Sequence, residues 1–243
     1  MIYARAALAA CLLALCACAS APPGKRVAAV EDFSPPRDVA VLPVEAVLGA
    51  LTTRGHVAHD EAWSAEAADG LQTALLSTLR EDDIAARAIG FAVTDGTDLE
   101  AENAGLRARL ALGDLRVLVH EAGLAPHRSA LASRPLPYAE ALREAAGADH
   151  VLVAVASGTY ATRNRRLAQA AGTAMRAGVG VGFTPSSGGQ YVVLGLYDLG
   201  QDRLIWVHKD DFIRYSLRRE ADRARMARQM LAPLTADEED DEE

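Results

Sequence analysis

The chain has 243 residues, a net charge of −8 and a pI near 5.3. Half of its residues are apolar and only 5% are aromatic, so a sizeable core is available and is built largely from Ala and Leu. The negative balance makes the chain as a whole a poor match to nucleic acid or to an anionic surface.

Arg5 is the only charge before Lys25, and Ala6 to Ala17 is an unbroken run of Ala, Leu and Cys. A positive start, an apolar core and small residues at its end make a secretory signal peptide. The run is too short to span a bilayer, which takes about 20 apolar residues. Pro22, Pro23 and Gly24 then break any helix. All three cysteines lie in the first eighteen residues. Leu15-Cys16-Ala17-Cys18 resembles the bacterial lipoprotein signal, with a small residue before the cysteine. The rival window, Leu13-Ala14-Leu15-Cys16, puts a bulky leucine at the cut. The resemblance implies a signal over 1–17 and a mature chain starting at Cys18. That residue would carry a thioether-linked diacylglycerol and an N-acyl chain, the one covalent group expected, with no cofactor. Each buried CH₂ adds roughly 0.8 kcal/mol to such anchoring. No Asp follows Cys18, so the resemblance implies the periplasmic face of an outer membrane. Acylation of Cys18 and loss of the other two cysteines would leave no thiol for disulfides, zinc or nucleophilic catalysis.

Residues 18–36 include Pro22, Pro23, Pro35 and Pro36 and show little periodicity; they are expected to form a tether. Asp38 to Val44, DVAVLPV, reads as a strand buried on both faces, with Pro43 ending its pairing. Glu61 to Arg80 follows helical spacing. Ile84 to Val93 reads as a strand. Leu99 to His120 is a long helical stretch, with Gly113-Asp114 a candidate break. Pro137 to Ala146 is a short helix with Pro at its start and Gly147 at its end. Val151 to Thr162 and Gln190 to Leu199 are strands. Gly200-Gln201-Asp202 is a turn, and Arg203 to Lys209 returns as the second arm of a hairpin. Tyr215 to Leu231 is a final helix. The chain ends ADEEDDEE, and this tail over 233–243 is expected to be disordered by its own charge. The expectation is an α/β fold: a single domain over 37–232, with a mixed twisted sheet, helices packed on its faces and a C-terminal helix.

Ala148-Asp149 leads into a strand, and a second strand ends in Asp198 before a tight turn and the return Leu204-Ile205-Trp206. With the opening VAVLPV, this pattern is similar to the superfamily of the curli-secretion lipoprotein. That superfamily also holds the amino-terminal domain of the Tol-system propeller protein and the lipoprotein activators of penicillin-binding proteins. The pattern departs in placing Asp202 where the family usually has Gly after the turn. The resemblance implies an envelope lipoprotein with a mixed sheet.

Arg163, Arg165 and Arg166 open a small-residue, Gly-rich connection that runs to Gly189 and carries Met175, Val179, Val181 and Phe183. In the curli channel the matching region crosses the membrane. Here only Val179 to Phe183 alternates, short of the 9–11 residues a barrel strand needs, so a loop or interaction segment is the expectation. Gly178 to Gly182 lacks the lysine and hydroxyl ending of a phosphate loop. His56, His59 and Asp60 lack a second cluster and read as surface or capping residues rather than metal ligands. Glu81-Asp82-Asp83 and Asp210-Asp211 read as helix-end or turn charges, and no serine has a Gly-x-Ser-x-Gly context. Arg214, Arg218, Arg219 and Arg225 form a candidate basic face on the final helix. The expected function is that of a membrane-anchored periplasmic factor, without catalysis, that binds or helps assemble envelope components. Its expected partners are the outer membrane, through the lipid, and an envelope protein, with self-association open and nucleic acid excluded. The alternative is an oligomeric outer-membrane export channel.

Overall fold

Val39, Ala40 and Val41 lie between Asp38 and Pro43, and an apolar run of that length suits a strand covered on both sides. The computed structural model describes residues 26–91, 99–124, 131, 135–162, 164–165, 189–212 and 215–235. In it the run is strand β2 (Asp38–Val41), fully buried at all three apolar positions. The elements in chain order are β1 (Arg26–Ala29), β2, β3 (Glu45–Leu51), β4 (Val57–His59), α1 (Glu61–Glu81) and β5 (Ala85–Ala88). They continue with α2 (Leu99–Leu124), α3 (Ala139–Ala146), β6 (His150–Ala161), β7 (Gln190–Asp198), β8 (Arg203–Asp211) and α4 (Glu220–Thr235).

The strands form one mixed, open sheet in the order β1-β8-β7-β6-β2-β5, with β3 also paired to β6 and β4 beyond β3. Strands β6, β7, β8 and β1 are antiparallel neighbours, whereas β2 and β3 both run parallel to β6. The twelve-residue β6 takes β2 along its first half, from Ala40↔Val151, and β3 along its second half, to Leu51↔Ala161. Pro43 makes the break, because it has no N–H to give. Leu42 N still donates to Leu152 O at 3.0 Å. The Pro43 carbonyl turns away and accepts from Arg116 Nη2 at 2.6 Å, while Arg116 Nη1 lies 3.4 Å from Glu45 Oε2. One arginine of α2 therefore holds the kink between β2 and β3.

Alternation along the strands sends side chains to two cores. Val39, Val41, Leu152, Leu194 and Trp206 meet α1 and α4 on one face. Ala40, Leu42, Val151, Val153 and Tyr197 meet α2 and α3 on the other. Three glycines set how closely the layers approach. A Cβ on Gly195 of β7 would stand 2.4 Å from Val119 of α2, and one on Gly123 of α2 would stand 2.4 Å from Val193. These reciprocal gaps seat α2 directly on β7. On the other face a Cβ on Gly70 of α1 would strike the Arg223 guanidinium at 2.2 Å, so the glycine makes room for a buried arginine of α4.

The mixed α/β sheet, with its helices and the C-terminal helix, is as expected. Several elements differ from the sequence reading. Arg26–Ala29 falls in the stretch expected as tether, yet it adds an edge strand antiparallel to β8. Strands β3 and β4 lie where no element was assigned; Val47 and Val57 are exposed and Gly49 interrupts the pattern, so the period-2 signal is weak. Helix α2 runs unbroken through Gly113-Asp114, because buried Leu112 and Leu115 hold both sides of the glycine against the sheet. Helix α4 starts at Glu220, not Tyr215, and extends to Thr235. Asp210 and Asp211 sit on β8 rather than at a helix end or turn.

Candidate functional site

Residues 215–219 approach α4 as a non-helical segment, and the reason is a set of fixed hydrogen bonds. Leu217 is fully buried and its N–H donates to Tyr160 Oη at 3.0 Å and to Gln190 Oε1 at 3.2 Å. The Tyr160 hydroxyl itself donates to Gln190 Oε1 at 2.7 Å. Ser216 N–H donates to Asp222 Oδ2 at 3.0 Å, and Arg223 Nη1 donates to Leu217 O at 2.9 Å. Burial pushes the Tyr160 phenol above its usual range, against the opposing pull of the Ser216 hydrogen bond and the Arg218 charge.

This anchoring places Arg218 on the surface, with its guanidinium carbon 3.6 Å from the Trp63 ring centroid and 5.7 Å from that of Tyr160. Trp63 and Tyr160 meet edge to face at 6.2 Å. Trp63 is supplied by the first turn of α1, whose N-cap is Asp60: its Oδ1 accepts from Trp63 N at 2.9 Å. Ser64 Oγ, accepting from Leu48 N at 2.9 Å, ties that turn to β3. The corner is thus built from α1, β6, β7 and the α4 approach. Arg165 stands at the same end of the sheet, just past β6, with Nη1 donating to Thr52 O at 2.8 Å. Arg219 and Arg225 are exposed.

Of the basic face, Arg218 and Arg219 precede α4 rather than lie on it, and Arg225 is on the helix. Cys18, Arg163, Arg166, Met175, Val179, Val181, Phe183, Arg214 and residues 236–243 of the acidic tail lie outside the described residues, while 233–235, expected as the start of that tail, close α4 instead. The Trp63–Tyr160–Arg218 stack was not legible as a unit, since its members are distant in sequence; the one local signal was the Asp60 cap at the start of α1.

On the opposite face, His120 Nε2 lies 3.0 Å from Tyr191 Oη, and Lys209 Nζ stands 5.4 Å from the Tyr191 ring centroid and 2.9 Å from Asp211 Oδ1. A cavity of about 300 Å³ lies between α2 and the following loop, lined by Asp114, Val117, Leu118 and Pro135 to Pro137. The β7–β8 turn explains the departure at Asp202. It adopts φ 50°, the left-handed conformation that glycine serves elsewhere. Its Oδ1 accepts from Tyr197 Oη at 2.5 Å and from Leu136 N at 3.0 Å, so the aspartate adds two bonds a glycine cannot make. Burial, then the Asp202 hydrogen bond, raises the Tyr197 phenol well above its usual range. Asp198 Oδ1 caps the turn, accepting from Gly200 N and Gln201 N at 2.8 and 2.9 Å.

His59 Nδ1 lies 3.2 Å from Leu48 O and Asp60 caps α1, so both serve the fold. Among the described residues no group of three or more His, Cys, Asp or Glu could hold a metal, and no helix is long and apolar enough to cross a membrane.

No family model and no curated protein matches the chain. Among solved structures it is similar to a PelC dodecamer from Paraburkholderia phytofirmans, at 12% identity and a TM-score of 0.41, over 88% of this chain and 99% of that one. It is also similar to the LpoB C-terminal domain from Salmonella enterica, at 14% identity and a TM-score of 0.28, over 75% and 87% of the two chains. These scores describe a loose likeness, and nothing about function rests on them.

Proposed function

We propose that this chain is an envelope lipoprotein, anchored through lipid on Cys18 at the periplasmic face of an outer membrane, that works by binding a protein partner rather than by catalysis. The observation that carries the reading is the surface stack of Arg218 on Trp63 beside Tyr160. Trp, Tyr and Arg are the residues most enriched where binding energy concentrates in protein interfaces. An arginine already held against an aromatic ring has lost much of its rotamer freedom, so its forked N–H groups meet a carboxylate at little further entropic cost. Arg219 and Arg225 are further exposed cations of this segment and of α4. The partner that fits is a protein face with exposed carboxylates. The signal reading rests on Arg5 and the apolar run from Ala6 to Ala17, and the lipid reading on the Leu15–Cys18 window.

The test places a photo-crosslinking residue at exposed Ala221 in the membrane-anchored chain, with a second at exposed Ser77 as a control. A discrete envelope protein captured from 221, and lost when Arg218 is changed to Glu, is the expected result. Equal capture from both positions, or capture from 221 that survives Arg218→Glu, sinks the reading. Cys18→Ala should release the chain from the membrane fraction and abolish metabolic acyl labelling.

A further inference from the structure

Leu106, Leu110, Val117 and Leu124 of α2 are 54, 50, 57 and 53% exposed. At 3.6 residues per turn, positions four and seven apart share one face, so the four side chains form a single line along the helix. Written as a heptad, Asn103, Leu110, Val117 and Leu124 take the a positions, and Leu106, Gly113 and His120 take d. Six of these seven residues are exposed and His120 is half-buried. The opposite side of α2, with Ala111, Leu115, Leu118 and Ala122, is already buried against the sheet. The helix therefore carries two apolar faces; among the described residues the fold buries one, and the other meets it only where Val117 shares a cavity with Pro135 to Pro137.

We propose that the outer face pairs in parallel with α2 of a second copy of this chain, as a short two-stranded coiled coil. Charge complementarity selects this occupant. In a parallel pair each g residue faces the e residue five positions on in the other copy. Glu102 then faces Arg107 of the second copy, and Arg109 faces Asp114, each twice by symmetry. Arg116 faces Glu121 in the same sense, although Arg116 also holds Pro43 and Glu45 within its own chain. The antiparallel pairing that would stack Leu106 on Leu124 sets Asp114 against its own copy instead. Asn103 at an a position fixes register, as a lone polar a residue does in parallel pairs. A Cβ on Gly113 would meet nothing within 4 Å, so this d position leaves a hole in the seam. The pairing stands apart from the Arg218 corner, which lies across the sheet.

The test uses the chain from Ala19 onward, which holds every described element and no cysteine. Parallel pairing brings identical residues together. Leu110→Cys and Val117→Cys should each oxidise to a disulfide-linked dimer, while Ser77→Cys on α1 should pair without forming a disulfide. Sedimentation should show Gly113→Leu tightening the dimer at least tenfold by filling the d layer, and Leu110→Glu giving a folded monomer whose melting temperature no longer depends on protein concentration. A disulfide that joins the Leu110→Cys chain to a His120→Cys chain, with none between two Leu110→Cys chains, would overturn the parallel arrangement. A monomer in both the parent and the Gly113→Leu chain would overturn the pairing itself.

Discussion

Gly195→Ala tests the seating of α2 on the sheet. The added methyl would stand 2.4 and 2.8 Å from the two γ carbons of Val119 and 3.2 Å from Leu204 Cδ1. Carbon atoms in contact sit about 3.5–4.0 Å apart. Valine in a helix keeps one χ1 rotamer, and any other staggered rotamer still leaves a γ carbon in at least one of the two clashing positions. The helix must therefore back away by about 1 Å, and the matching contact of Gly123 over Val193 resists that movement. Overpacking of this kind costs about 1–3 kcal/mol, offset by roughly 0.5–1 kcal/mol from replacing a strand glycine. A net loss of about 1–2 kcal/mol corresponds to a Tm lowered by roughly 2–8 °C. Val119→Ala alone removes two methyl groups at about 0.8 kcal/mol each and opens a cavity. In the double variant the new methyl occupies the vacated space, so the pair should fall well short of the sum, with a coupling of about 1–2 kcal/mol. Urea unfolding followed by circular dichroism on the chain from Ala19 measures all four species. Simple additivity, or a Gly195→Ala chain as stable as the parent, would refute the close seating.

At the β7–β8 turn, Asp202→Gly keeps the left-handed backbone but loses the bonds to Tyr197 and Leu136, and should cost about 1–2 kcal/mol; Asp202→Ala adds backbone strain and should cost more. Equal losses on chemical denaturation would count against the conformational role of Asp202. Tyr160 and Tyr197 have phenols raised by burial, so both stay protonated in the folded state past the free value near 10. Their contribution is complete below that pH and declines as pH rises above it; denaturation curves should lose stability above about pH 10, less steeply in Tyr197→Phe, and a flat profile would contradict this. Tyr160→Phe removes the hydroxyl that holds Leu217 N–H and should cost about 1–2 kcal/mol while increasing hydrogen exchange over residues 215–219. Arg218→Ala should shift the Trp63 fluorescence to the red with a stability change under about 1 kcal/mol, because Trp206 is buried and leaves Trp63 as the responsive indole.

The strands that carry continuous apolar runs were readable because both of their faces are buried: Val39 to Val41, Val151 to Val153 and Val192 to Leu194 leave no polar alternation to mislead. Helices α1 and α2 announced themselves by spacing. The failures share a cause. Arg26–Ala29 becomes a strand only because β8 offers it an open edge, a tertiary fact that four residues cannot encode. Residues 215–219 look helical by composition, but Tyr160 and Gln190, distant in sequence, take the Leu217 N–H first. Gly113 looked like a break because local propensity says nothing of Leu112 and Leu115 being held from outside. The candidate site was less legible than the fold. In the sequence Arg218 reads as one charge of a helical face, whereas its neighbours Trp63 and Tyr160 arrive from α1 and β6. Asp202 departs from the glycine of the family pattern, and its positive φ and two hydrogen bonds give that departure a reason.

The most direct measurement is light scattering coupled to size-exclusion chromatography, run on the Cys18-acylated protein in mild detergent beside the chain that begins at Ala19. A binding factor that pairs through α2 should give the same monomer–dimer equilibrium in both preparations, the larger mass of the first being accounted for by lipid and detergent. A large ring that forms only in the acylated preparation would contradict the account, and would make residues 163–189 the wall of an export channel.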